Sequence, residues 1–373
     1  MLPSDHGQAT LVGRVLLAEG PTPVLIRDDV VHDVSREAAT VADLLERDDL
    51  DSVGGRALCD VGALNGDGQP KILAPVDLQC VKAAGVTFAL SAIERVIEER
   101  ARGDSNRANE IRGDLEAKVG SGIRSVVPGS DEAAALKAAL IEANMWSQYL
   151  EVAIGPDAEV FTKGPVLSAV GWGAQIGVRS NSDWNNPEPE VVVVVDRHGN
   201  IRGATLGNDV NLRDIEGRSA LLLGKAKDNN ASTALGPFIR VFDDHFTMDD
   251  VRNATVDLVI EGRDNYRLEG TNKMSEISRD PTDLVRQTMS EHQYPDGFVL
   301  FLGTLFAPIQ DRDAPGRGFT HKEGDIVRIS TPKLGTLVNQ VTTSKAAPPW
   351  EFGIRDLMLN LARRGLLAQP AHA

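Results

Sequence analysis

Three short runs near the N-terminus, Gly13–Leu17 (GRVLL), Pro23–Arg27 (PVLIR) and Val30–Val34 (VVHDV), alternate apolar and polar side chains at period two. That spacing predicts strands joined by turns. Gly62–Lys71 (GALNGDGQPK) is a loop by composition, and a boundary is expected near Pro75. Phe88–Arg102 then places Ile93, Val96 and Ile97 at helical spacing with charges opposite, an amphipathic helix. Asp131–Asn144 is Ala-rich and strongly helix-forming. From about Val152 strand patterns dominate: EVFTKGP, EVVVVVD, NIRGATLG, TVDLVIEG, GFVLFLGT, DIVRISTP and GTLVNQVT, each bounded by Gly, Pro, Asn or Asp. A last helix, Phe352–Leu367, closes the pattern. The expectation is an α+β chain: a small N-terminal domain over 1–75, and a mostly antiparallel β domain with flanking helices over 76–373.

Length and charge narrow the function. At ~150 residues per domain, 373 residues predict about two domains. The 39 basic and 54 acidic side chains leave a net charge of −15 with no concentrated basic tract. Nucleic acid and anionic membrane are therefore excluded as main partners. The longest apolar run is five residues, Val191–Val195, far below the ~20 of a membrane span. No secretory signal is visible at the N-terminus, and two cysteines, Cys59 and Cys80, suit a reducing compartment. The expectation is a cytoplasmic protein that handles a small molecule.

The chemistry concentrates in Asn186–Asp209, NPEPEVVVVVDRHGNIRGATLGND. Pro189 biases Glu188 toward extended backbone, and the valine run favours a strand. Glu188 and Glu190 then share a face, with Cα atoms ~6.6 Å apart. RHGN is a natural hairpin loop. Pairing Asp196 with Ile201 across it sets Glu188 opposite Asp209, with Cβ atoms ~5 Å apart. Three carboxylates that close repel one another. A divalent cation, Mg²⁺ or Mn²⁺ or Ca²⁺, resolves the repulsion with oxygen ligands alone. The alternative is an acidic edge strand that merely aids solubility, and a one-residue register slip would send Asp209 to the other face.

PEPE, then GNDVNLRD, KAKDNNASTALGPF, PDGFVLFLGT and EGDIVRISTPKLGTLVNQV, in that order, resemble the fumarylacetoacetate hydrolase superfamily over roughly Pro75 to Thr343. Within it the chain is most similar to the 2-keto-3-deoxy-pentonate dehydratases. The resemblance implies a C-terminal β-roll housing the site, a helical lid over about 86–145, and a homodimer or homotetramer. It implies Mg²⁺, with Mn²⁺ as the variant, on Glu188, Glu190 and Asp209. Glu159 and Lys163 would sit beside the metal, Lys227 would be the base, and Thr304 would bind the substrate carboxylate. Arg213 falls in the NxRD-like stretch, and Glu94 would close over the substrate. By spacing alone each has a plainer reading: an exposed loop lysine for Lys227, a core threonine inside an apolar strand for Thr304, and a surface pair for Glu159 and Lys163.

These residues suit dehydration of a 2-keto-3-deoxy sugar acid, with Lys227 taking the C3 proton and Glu159 protonating the departing C4 hydroxyl. One rival is hydrolysis of a 2,4-diketo acid. Hydrolytic members of the superfamily use a His–Glu pair on the lid, and Val86–Asp104 contains no histidine. A non-enzymatic sugar-acid binder is the other rival, but it has no need of an acid and a base. No strand–GxGxxG–helix unit points to a dinucleotide cofactor.

Overall fold

The computed structural model describes residues 1–88, 92, 96–97, 99–102, 107, 111, 126–142, 144, 146–306, 308, 310–314 and 318–367. Its backbone is an eleven-stranded mixed sheet facing a five-stranded one. In spatial order the large sheet runs Arg56–Asp60, Val30–Asp33, Gly20–Arg27, Leu11–Leu17, Thr233–Val241, Ile201–Asp209, Pro189–Val195, Phe298–Phe301, Cys80–Gly85 and Glu159–Gly164, with Lys71–Ile72 paired off this path. The smaller sheet runs Arg267–Lys273, Thr255–Glu261, Ile326–Thr331, Gly335–Thr343 and Gln175–Val178. Ladders are antiparallel except Phe298–Phe301 on Cys80–Gly85 and Gly335–Thr343 on Gln175–Val178.

The unbroken valine run has a simple cause. Pro189–Val195 lies mid-sheet and is buried on both faces, so it needs no polar alternate. Val191, Val193 and Val195 pack against the smaller sheet's Val256, Leu258, Ile260 and Ile329. Val192 and Val194 enter a second core with Val12, Leu25, Leu44 and Leu50 from the first 75 residues. The N-terminal strands thus continue the sheet that carries the site, through Leu11 opposite Arg240 and Val12 opposite Ile239. Buried Asp77 ties the helix Val41–Leu45 to the chain beyond Pro75, accepting hydrogen bonds from Val41 N (2.6 Å) and Ala42 N (3.1 Å).

The expected helices form at Asp131–Glu142 and Ile354–Arg364, the latter ended by Gly365 at φ +66°. Of the amphipathic segment after Phe88, the described residues Ala92, Val96, Ile97 and 99–101 are helical, with Val96 and Ile97 in a core cluster. Glu94, expected to close over the substrate, lies outside the described residues, as does half of the expected lid. No described helix is long and apolar enough to cross a membrane.

Candidate active site

The hairpin that carries the acids forms with the expected register, but for a different reason at its tip. Pro189 faces Asn208 and Val194 faces Gly203, so Glu188 meets Asp209, whose N–H donates to the Glu188 carbonyl at 3.0 Å. The expected Asp196–Ile201 pair is not made. Ile201 pairs with Val195, Asp196 N donates to the Asn200 carbonyl, and a bulge just before Val194–Gly203 absorbs the extra residue. Asp196 stabilises this tighter tip by accepting from His198 N (2.8 Å), Asn200 N (2.9 Å) and Asn200 Nδ2 (2.9 Å).

Glu188, Glu190 and Asp209 are all buried, and one carboxylate oxygen from each falls within 4.8 Å of the others. No described histidine or cysteine joins them. Glu190 accepts from Gly303 N at 2.6 Å. Two ammonium groups arrive from other elements. Lys227, at the end of the helix Leu223–Lys227, puts Nζ 2.5 Å from Glu188 Oε2, 3.2 Å from Asp209 Oδ2 and 4.0 Å from Glu216 Oε2. Lys163 is fully buried, with Nζ 3.0 Å from Asp209 Oδ1 and 3.3 Å from Ser232 Oγ, and it also donates to the Lys227 carbonyl.

The acids outnumber these cations three to two. Burial, then the charges of Asp209 and Glu188, push the Glu190 carboxyl well above the usual carboxylate range. Asp209 moves the other way: burial opposes its charge, but Lys163 and Lys227 outweigh burial and hold its pKa low. Burial, reinforced by Lys227, lowers the pKa of Lys163 against the pull of Asp209. A nest of three buried carboxylates whose mutual repulsion the two ammonium groups do not fully relieve fits a hard divalent cation.

The nest opens into a cleft. Besides the three acids it is lined by four other residues expected from sequence: Glu159, Arg213, Lys227 and Thr304. Glu159 sits opposite Gly85 in the sheet, where a Cβ would come within 2.1 Å of its Oε2, so the glycine makes room for the carboxylate. The buried Arg213 guanidinium stacks over the Trp184 ring at 5.4 Å. Thr304 is not inside a strand: the ladder stops at Phe301, and Thr304 begins a loop in which its Oγ1 accepts from Phe306 N at 3.1 Å. Lys163 does not line the cleft; it reaches Asp209 from the core side.

The structure adds residues that the pattern did not reveal: Asn211, Glu216, Phe161, Leu305 and Phe306 also line the cleft. Glu216 was findable, being three residues after Arg213 on the helix Arg213–Glu216, a spacing that puts both on one face. Phe161 follows from period two with Glu159 on the strand Glu159–Gly164.

With this geometry in hand, comparison with known proteins is direct. Residues 131–342 match the fumarylacetoacetate (FAA) hydrolase C-terminal family. The chain belongs to the fumarylacetoacetate hydrolase family. It is 34% identical over 188 residues to the 2-dehydro-3-deoxy-D-arabinonate dehydratase of Saccharolobus solfataricus, a match spanning 49% of this chain and 58% of that one. It is also 34% identical over 202 residues to a probable 2-keto-3-deoxyxylonate dehydratase of Haloferax volcanii, spanning 54% of this chain and 66% of the other. The chain thus matches less than two thirds of either relative's length. Among solved structures, 2-keto-3-deoxy-D-arabinonate dehydratase complexed with magnesium and 2,5-dioxopentanoate superposes with a TM-score of 0.65 at 22% identity, covering 89% of this chain and 99% of that one. The fumarylacetoacetate hydrolase of Exiguobacterium antarcticum superposes at 0.56 with 16% identity, covering 90% and 100%. These likenesses establish the fold.

Proposed function

We propose that this chain is a Mg²⁺-dependent hydro-lyase of the cytoplasm that converts 2-keto-3-deoxy-D-pentonate to 2-oxoglutarate semialdehyde (2,5-dioxopentanoate), working as a homo-oligomer. The observation that carries this reading is the buried nest of Glu188, Glu190 and Asp209 with the Lys227 amine 2.5 Å from one of its oxygens, beside a second acid, Glu159, in the same cleft. The names of the two dehydratase relatives support the substrate class.

Glu188, Glu190 and Asp209 would hold the cation; when bound, it would supply Lewis acidity to a 2-keto acid head. Lys227 then accepts the C3 proton. Glu159 donates a proton to the C4 hydroxyl, which leaves as water and gives the C3–C4 alkene. Shifting that double bond to C4–C5, with a proton lost from C5 and gained at C3, yields an enol. The enol becomes the C5 aldehyde when its hydroxyl proton is replaced by one on C4. Arg213 and Thr304 are the groups in the cleft suited to the substrate's carboxylate and hydroxyls. Lys163 is a positioning residue that fixes Asp209 from behind. Its neighbour Ser232 holds the same Lys227 carbonyl, donating to it at 2.7 Å.

The test is product analysis of purified protein with 2-keto-3-deoxy-D-pentonate, with Mg²⁺ and with EDTA. Metal-dependent 2-oxoglutarate semialdehyde is the expected result. Unchanged pentonate, with acylpyruvates cleaved instead, would replace dehydration by C–C hydrolysis.

A further inference from the structure

The loop after Phe301 joins the acid nest to the smaller sheet, and its two ends are fixed by different elements. At one end Gly303 N donates to Glu190 Oε2 at 2.6 Å. Gly303 itself has φ +88°, and a Cβ there would meet Thr87 Oγ1 at 2.1 Å, so this position takes no side chain. At the other end Leu305 N donates to Oδ1 of Asn272, a fully buried residue of the strand Arg267–Lys273, at 3.3 Å. Two residues earlier on that strand, Gly270 leaves space for an aromatic ring: a Cβ there would lie 1.8 Å from Phe306 Cε2. Leu305 and Phe306 pack against the main core and also line the cleft. Nearly all the other side chains lining the cleft are polar, apart from Ala84, Val86 and Phe161.

We infer that Leu305 and Phe306 form a chain-length gauge for the 2-keto acid, and that Gly270 and Asn272 are the positioning residues that set it. This rests on the function proposed above and deepens it. The keto-acid head is held at the Glu190 end of the loop, and the tail runs toward a wall whose position the smaller sheet dictates. Phe306 can sit back on the strand only because residue 270 lacks a side chain. Leu305 keeps its place because Asn272 supplies an acceptor inside an otherwise apolar layer, where an unpaired N–H would be costly. The wall therefore limits the carbon count of the acid without touching its reactive atoms.

The experiment measures binding of unreactive straight-chain 2-oxo acids of three to seven carbons to the Mg²⁺-loaded protein by calorimetry; these acids lack the leaving hydroxyl. Mn²⁺ affinity is measured in parallel. The parent protein should prefer five carbons, losing at least tenfold in affinity at six and seven. Phe306→Ala should bring the six- and seven-carbon acids within about threefold of the five-carbon one. Gly270→Ala should drive the ring into the cleft and shift the preference to shorter acids. Asn272→Ala should flatten the profile, and Asn272→Gln should not restore it. Mn²⁺ affinity should stay the same in all. Should Gly270→Ala fail to fold, Phe306→Ala decides the matter alone. A Phe306→Ala protein with the parent's chain-length profile overturns the inference, as does a wild-type protein indifferent to chain length. Because the ligands are inert, a protein that binds them in this order but leaves pentonate unchanged refutes the proposed reaction and spares the gauge. Normal pentonate turnover with a flat profile does the reverse.

Discussion

Two clusters of buried charge lie in this molecule, and they are built to opposite ends. Around Arg312 the buried charges cancel, Arg312 against Asp325. Its guanidinium is clamped by both oxygens of Asp325, at 2.6 and 2.7 Å, with Asp264 at 3.0 Å and the Tyr266 ring 4.7 Å below. Asp264 and Asp313, which Lys322 links, are exposed to water, so their charges are screened. Although burial opposes it, Asp325 is held at about 2 by its bonds to Arg312, His321 and the Lys322 amide. In the cleft the balance fails: three buried acids face Lys163 and Lys227, and burial with two neighbouring carboxylates raises Glu190. A network that satisfies its own charges is a structural clamp. One left with a surplus of a single sign is a site prepared for a cation, which shows why counting buried acids alone does not identify a functional one.

Substitutions should separate the two clusters. Lys227→Ala is expected to cut turnover by about 10²–10⁴-fold, the range for a lost general base, while leaving a Mg²⁺-dependent rise in melting temperature. Near-normal turnover would remove Lys227 from the chemistry. Arg312→Met, which leaves Asp325 buried without its partner, should cost about 3–5 kcal/mol in urea unfolding. Mn²⁺ affinity should be unchanged in that variant, and a loss would mean that the clusters are one unit. Glu190→Gln is the converse. Mn²⁺ affinity should fall by at least about 100-fold, and the metal-free protein should be as stable as the parent or more so, because a repelling charge is gone. The parent should gain about 2.7 kcal/mol from Mg²⁺ at 100 times its Kd, and this gain should vanish in Glu190→Gln.

The smallest expected effect is acid sensitivity. Asp325 is depressed to about 2 in the folded chain, against ~3.9 unfolded. Its contribution is therefore present above about pH 4 and lost as pH falls toward 2, on the order of 2 kcal/mol. Urea titrations between pH 5 and 2.5 should show a shallower loss in Arg312→Met than in the parent. Equal slopes would place the acid sensitivity elsewhere.

The carboxylate nest was legible in sequence because it is local. Glu188 and Glu190 share a face by the period of a strand, and one hairpin brings Asp209 across. Even the misplaced tip pairing did no harm, since the bulge before Val194–Gly203 restored the register. The Arg312 clamp left no such trace: Asp264, Arg312 and Asp325 are scattered over sixty residues and share no period. Lys227 and Thr304 were reached only through resemblance, since a loop lysine and a threonine after an apolar run look ordinary by spacing.

What the sequence determined by itself is the strands with clear period-two patterns, the helices Asp131–Glu142 and Ile354–Arg364, and the grouping of acids within one hairpin, because hydrogen-bonded strands obey fixed short-range geometry. The tertiary structure alone decided three other things. It put Lys163 behind Asp209 rather than in the cleft. It joined the first 75 residues to the sheet that carries the acid nest, through Leu11 and Val12. And it set Phe306 on Gly270, 36 residues away in the chain. Those contacts arise from packing between distant segments, which depends on the shapes that meet and leaves no periodic mark in either segment.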